Sequence, residues 1–246
     1  RKEFSEMKNI MIGVDLAKHV FQLHGAAPDG SVKFRKKLTR LKFRQFMAAQ
    51  PKCLVVMEAC GSAHYWAREM KVLGHDVKLI SPRYVKPFIK RQKNDASDAE
   101  AIGEAAQRPT MRFVEPKTAT QQARAVVFRT REQLVNQRTE LVNALRSHLY
   151  EFGYIVAKGI NNLHRLAEIV ENEQSELPAI VRDSCRGLLE QIERLTVQID
   201  VLMKQVVALA KEAETSRRLQ TMPGVGPISA LAIETFAPSM QNFEHG

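Results

Sequence analysis

Four carboxylates in this chain occupy positions that call for a cation. Asp15 closes the apolar run "MIGVD", Glu58 closes a second, "CLVVME", and Asp95 and Asp98 stand three residues apart in "KNDASDAEAI". An acid at the end of a buried strand, beside Ile12 and Val14 or beside Val56 and Met57, loses much of its hydration unless it is protonated or meets a partner, a metal or water. Acids three apart at a helix start share one side of that helix, about one turn from each other. Oxygen-rich clusters of this kind suit Mg2+ or Mn2+. Two such ions can activate an attacking oxygen and stabilise a leaving oxygen in phosphoryl transfer. Each acid alone has a plainer use: Asp15 in a turn, Glu58 as a helix-capping acid before "ACGSAHYW", Asp95 as an N-cap, and Asp98 as a charge favoured by the helix dipole. Taken together, two acids ending two separate strands and an Asp pair on one helix favour a single metal site with all four as catalytic ligands.

The basic residues fall near these acids. Lys33, Arg35, Lys36, Lys37, Arg40, Lys42 and Arg44 crowd one hairpin strand and the helix after it, while Arg83, Lys86, Lys90, Arg91 and Lys93 fill the approach to the Asp pair. A solvated face is the usual reason for such runs, but cations beside a phosphodiester-cleaving site can also hold a nucleic-acid backbone. His64, Tyr65 and Trp66 either stack on bases or pack a helix onto the sheet. In "PGVGP", residues 223–227, Gly224 and Gly226 form either the turn of a helix-hairpin-helix, whose backbone N–H groups meet phosphate, or a plain interhelical turn.

The elements that must position these groups read as α/β followed by all-α. Strands are expected over 9–16 and 19–26. The "PDG" turn at 28–30 leads into a third strand, "SVKFRKKL", completing an antiparallel meander. A helix over 40–50, a strand over 53–58, a helix over 62–73 closed by Gly74 and a strand over 76–80 then alternate, which implies parallel pairing after the meander. Beyond Pro116 the sequence turns to long charged helices. Leu188, Ile192, Leu195, Ile199, Leu202, Val206 and Leu209 form an a/d seam held for three heptads, and Val127, Leu134, Leu141, Leu145 and Phe152 form a second. The two seams serve an intramolecular helical hairpin or a dimerisation arm, and the pattern does not choose. The expected domains are 7–115 (catalytic, mixed sheet), 116–214 (helical, coiled coil) and 215–246, the start of a further helical domain that the chain leaves unfinished. The six residues ahead of Met7 are set aside as additions to a start at Met7.

Bulk composition narrows the partners. The 246 residues are 44% apolar, enough for a real core, and carry 37 Lys and Arg against 27 Asp and Glu, a net charge of +10. This excess suits a polyanion, and nucleic acid leads over an anionic membrane surface because no basic amphipathic anchor stands out. No membrane span or secretory signal is read, so the cytoplasm is the expected location. Cys53, Cys60 and Cys185 show no zinc or disulfide spacing and read as reduced thiols.

With "GVDLAK", "VMEACGSAHYWA", "NDASDAEAI" and "TMPGVGPISA" in this order, the chain resembles the DEDD transposases of insertion-sequence family 110 from Met7 onward. The resemblance implies a RuvC-like domain of the RNase H fold in which Asp15, Glu58, Asp95 and Asp98 match the family's four metal-binding acids. It also implies a coiled-coil middle, a C-terminal transposase domain, DNA as substrate, a structured guide RNA that pairs donor and target DNA, and a homo-oligomer assembled through the coiled coil. The family's nucleophilic serine lies in a stretch that this chain does not reach. Neither Ser229 nor Ser239 has the matching context, so no serine here is assigned that role and strand exchange by residues 1–246 alone is not expected. A stand-alone RNase H-like nuclease or Holliday-junction resolvase and a non-catalytic nucleic-acid-binding dimer are the rival readings.

Overall fold

Strict alternation along Met11–Leu16 (β1) divides its side chains between two layers: Ile12, Val14 and Leu16 enter one core, leaving Met11, Gly13 and Asp15 on the opposite face of the sheet. The structure, a computed structural model, describes residues 10–89 and 95–238, with the side chains of 95–97 left aside. Lys90, Arg91, Lys93 and Ser239 therefore lie outside the described residues, as does the side chain of Asp95. Among the described residues the chain divides into two compact units, one running to Thr120 and one spanning Gln121–Ala237.

The first unit is built on a six-stranded sheet of order β3-β2-β1-β4-β5-β6. Its other strands are Val20–Ala26 (β2), Val32–Thr39 (β3), Leu54–Glu58 (β4), Asp76–Ile80 (β5) and Phe113–Val114 (β6). β1, β2 and β3 form the expected antiparallel meander, and β1–β4 and β4–β5 pair in parallel. The antiparallel β6 is an addition that the sequence pattern does not announce, since two residues carry no periodicity.

Helices cover both faces. Arg40–Ala48 (α1) starts where the Thr39 hydroxyl accepts the Lys42 N–H at 3.4 Å, and buries Phe43 and Met47, four residues apart on one side. Ala63–Val72 (α2) buries Trp66 and Met70 in the same layer and ends at Gly74, whose φ of +90° favours glycine. Phe21, Phe43 and Trp66 meet edge-to-face with centroids 5.1–5.2 Å apart, which settles Trp66 as a packing residue. Each such pair adds about 0.5–1.5 kcal/mol to simple burial. The opposite face holds Pro82–Val85 (α3), a 3-10 turn over Lys86–Phe88, and Asp95–Ala106 (α4), which buries Ala101, Ile102 and Ala105 against Val56 and Ile80.

In the second unit, Ala119–Tyr150 (α5) and Ala179–Glu212 (α7) run antiparallel: Arg131 reaches the Met203 sulfur and Arg138 the Thr196 hydroxyl. Ile192, Leu195, Ile199 and Val206 are buried within the single chain, so the heptad seam serves an intramolecular hairpin. Leu163–Glu171 (α6) presents Leu166 and Val170 to the same core. In the first turn of α7 the buried Arg182 donates to the carbonyls of Val170 and Asn172 at 2.7 and 2.6 Å, and to Ser175 and Leu177. Glu214–Leu219 (α8) and Pro227–Phe236 (α9) close the unit. Among the described residues no helix is long and apolar enough to cross a membrane.

Candidate carboxylate site and its flanking cations

The register of the sheet brings the first two acids side by side. Val14 pairs with Met57 across the parallel β1–β4 ladder, so the next residues, Asp15 and Glu58, end adjacent strands roughly 4.8 Å apart. Both are half-buried and lie on the α4 face. On the antiparallel side Asp15 pairs with Gln22 and Gln22 with Lys37, which places Lys37, Gln22, Asp15 and Glu58 in one line across the sheet, all on that face. One step further in, the parallel line of Arg35, His24 and Gly13 lies under α4.

Gly13 explains how close α4 comes. A Cβ there would overlap the Ala99 carbonyl oxygen and stand 3.1 Å from the Gly103 nitrogen. The third acid, Asp98, immediately precedes Ala99 and is thereby held against the sheet. Its Oδ1 is buried and has no hydrogen-bond partner among the described residues. Asp95 opens the same helix.

The electrostatics bear out the proximity. Burial pushes the Glu58 carboxyl above its ordinary range, Asp98 pushes it further, and Lys86 opposes the rise. The Cys60 thiol is raised first by burial and then by both Glu58 and Asp15, so the fields of the two strand-end acids overlap at one sulfur. A divalent cation would relieve this repulsion and satisfy Asp98 Oδ1, so the donor set fits a hard ion. Among the described residues no three His, Cys, Asp or Glu side chains close into a ready metal cluster, and the fourth acid lies outside that set.

The loop after Glu58 is tight: Cys60 N–H donates to the Glu58 carbonyl at 2.8 Å and Ala59 N–H to Ile80 O at 2.7 Å. Ser62 adopts a left-handed φ of 68°, a strained conformation for a non-glycine residue that ends the turn and starts α2. His64 Nδ1 accepts the Lys117 N–H at 3.0 Å, and Tyr65 alone of its triplet is exposed.

The basic run sorts by what each cation already does. Arg35 pairs with Glu100 on α4 at 2.9 Å, Arg44 pairs with Glu69 at 2.9 Å, and Lys36 sits over the Phe46 ring. Arg40 lies over both Phe21 and Trp66. Lys33, Lys37 and Lys42 are exposed, as are Arg83 on α3 and Lys86 after it. Lys86, legible in the sequence only as part of the basic approach to the Asp pair, is brought by the fold within the electrostatic reach of Glu58. Gly224, with φ +82°, and Gly226, the N-cap of α9, form the turn between α8 and α9. In the last turn of α9, Glu234 accepts from Arg124 at 2.6 Å and from the Ser216 hydroxyl at 2.6 Å.

Comparison with known proteins adds a lineage to this geometry. Residues 12–153 match the family model of the IS110 DEDD transposases, described as transposase. The chain is 44% identical over 237 residues, 96% of its length and 70% of the relative's, to a "probable family 20 transposase" of Pseudomonas aeruginosa. It is 40% identical over 238 residues (96% and 71%) to the transposase for insertion sequence element IS1328 of Yersinia enterocolitica. It is 36% identical over 255 residues (99% and 67%) to the transposase for insertion sequence element IS1111A of Coxiella burnetii.

Proposed function

The chain belongs to the DEDD transposases of insertion-sequence family 110, and on that footing we propose that the sheet end bearing Asp15, Glu58 and Asp98, completed by Asp95, is the strand-cleaving centre of a DNA recombinase that moves an insertion sequence. The observation that carries this reading is the convergence of β1, β4 and α4, which delivers three acids to one face and leaves a buried Asp98 oxygen without a partner among the described residues. The meander followed by parallel strands supports an RNase H-like, RuvC-type arrangement for residues 7–115.

Mg2+ or Mn2+, when bound, supplies Lewis-acid polarisation of the phosphodiester and of the attacking oxygen. The chain's own residues hold and orient. Asp15 and Glu58 are fixed by ladder hydrogen bonds, and Asp98 by the α4–β1 contact at Gly13. Lys86 offsets part of the negative field at Glu58. Lys33, Lys37, Arg83 and the residues at 90, 91 and 93 supply cations for the backbone of DNA or of a structured guide RNA, and the Gly224–Gly226 turn offers backbone N–H groups to phosphate. The helical hairpin is also the element through which copies of the protein would assemble, using surface other than the buried seam. Transposition of a marked element in cells tests the reading. Asp15→Asn, Glu58→Gln and Asp98→Asn, each in the full-length protein, should lower transposition at least ~100-fold, a loss of the size seen when a transition-state interaction is removed. Undiminished transposition in any two of the three overturns the assignment.

A further inference from the structure

The line of residues that contains the acids continues on both sides of them. Towards the β3 edge it runs from Asp15 to Gln22 and on to Lys37, through paired residues on one face. With adjacent strands ~4.8 Å apart, Lys37 stands about 10 Å from Asp15. In the other direction Glu58 pairs with the buried Ile80 that ends β5, and the chain leaves Ile80 through α3 to the exposed Lys86, whose charge is felt at Glu58.

The next line inward is closed. Its members Arg35, His24 and Gly13 lie under α4, where Glu100 takes the Arg35 guanidinium and Ala99 rests on Gly13. The Lys37–Glu58 line lies one step outside that roof, at the end of the sheet from which α4 begins. It is therefore a shelf, acidic in the middle, with Lys37 at its β3 end and Lys86, in the turn after α3, on the Glu58 side.

Among the described residues Lys37 is an exposed member of the basic run on this face with no ion pair or ring contact. Arg35, Lys36, Arg40 and Arg44 are all engaged by Glu100, Phe46, Phe21 with Trp66, and Glu69 respectively. Among the described residues Lys37 and Lys86 have no carboxylate within ion-pair distance, and both are exposed. Gln22, half-buried between Lys37 and Asp15, offers an amide that can both donate and accept.

We propose that the DNA strand to be cut lies along this shelf, crossing the sheet at right angles to its strands, with Lys37 and Lys86 holding the phosphates on either side of the one presented to the acids and Gln22 contacting the strand between. The inference rests on the function proposed above and adds to it the path of the substrate and the residues that set it. Lys37, Lys86 and Gln22 are positioning residues: they place the scissile bond and take no part in breaking it.

The test is the salt dependence of binding, read by fluorescence anisotropy on the full chain with a labelled oligothymidylate and an oligouridylate of equal length. Each phosphate contact contributes about 0.7–0.9 to the slope of log K against log salt. Lys37→Ala should lower the DNA slope by about that amount, Lys37→Ala with Lys86→Ala by about twice it, and Lys37→Arg should restore it. Lys42→Ala, equally exposed but on α1 over the opposite face, should leave the slope unchanged. Lys37→Ala behaving like Lys42→Ala overturns the proposal, as does a slope change confined to oligouridylate, which would assign the shelf to RNA. If the acid variants abolish transposition while Lys37→Ala leaves DNA binding untouched, the catalytic reading stands and the strand path alone is wrong.

Discussion

Gly13 and Ala99 meet backbone to backbone: a Cβ on the strand residue would overlap the helix residue's carbonyl oxygen. The contact holds the start of α4 on the sheet, where the charge of Asp98 is felt at Glu58, so it couples folding to the site. Gly13→Ala should destabilise the chain by about 1–3 kcal/mol through overpacking and should depress transposition although no acid is changed. Gly103→Ala is the internal control. The added methyl meets only the Met11 methyl at an ordinary 3.7 Å and replaces a helical glycine, so urea unfolding should show a gain of up to ~1 kcal/mol.

Glu58 makes the metal-free protein sensitive to pH. Its carboxyl is raised above 4.5 by burial and by Asp98, so the folded state disfavours the ionised form. The corresponding stability is fully present below 4.5 and is lost as pH rises through the elevated value. Glu58→Gln should therefore melt higher than wild type at neutral pH in EDTA, with the two converging in acid. Added Mg2+ should raise the wild-type midpoint and leave the variant's unchanged. A variant that melts lower than wild type at neutral pH would contradict the repulsion.

Glu234 behaves in the opposite sense. Burial tends to raise its carboxyl, but the Ser216 and Arg124 hydrogen bonds outweigh it and hold the group below 4.5. Stability from this group is present above 4.5 and disappears as pH falls through the lowered value. Ser216→Ala should cost about 1–3 kcal/mol at neutral pH and less in acid. An equal loss at both pH values would show that the hydroxyl does not act through the carboxylate.

Arg182 is buried and donates to four carbonyl oxygens, that of Val170 near the end of α6 and those of Asn172, Ser175 and Leu177 in the loop after it. Arg182→Met should destabilise by about 3 kcal/mol or more, since several buried acceptors lose their donor. Arg182→Lys should recover little, because one ammonium cannot span the fork. Thermal melts of both variants check this, and a lysine variant close to wild type would argue against the fork geometry.

Much of this was legible in the sequence where local periodicity and burial agree. The apolar runs "MIGVD" and "CLVVME", each closed by an acid, place Asp15 and Glu58 at strand ends, and the observed strands bear that out. Gly13 carried a readable signal, a glycine inside a β-branched run, but the helix it admits lies more than 80 residues on. The heptads of α7 are equally plain, yet periodicity names no partner, and the antiparallel return of α5 was needed to seat them within the chain. The basic run misleads for the same reason: Arg35 and Arg44 are engaged by acids 65 and 25 positions away. Only the register that sets Lys37 beside Gln22 and Asp15 places it on the acid face, apart from the cations used for packing.

Manganese binding measured by electron paramagnetic resonance on the full chain bears most directly on the proposal that Asp15, Glu58, Asp95 and Asp98 share one cation site. Titration of wild type should show saturable loss of the free-ion signal. Asp15→Asn, Glu58→Gln, Asp95→Asn and Asp98→Asn should each weaken that binding at least ~10-fold, the scale on which removal of a group tunes metal affinity, while their melts in EDTA stay at or above wild type. Four variants that bind manganese as wild type does would contradict the account, and the acids would then be no more than the ends of two strands and a helix.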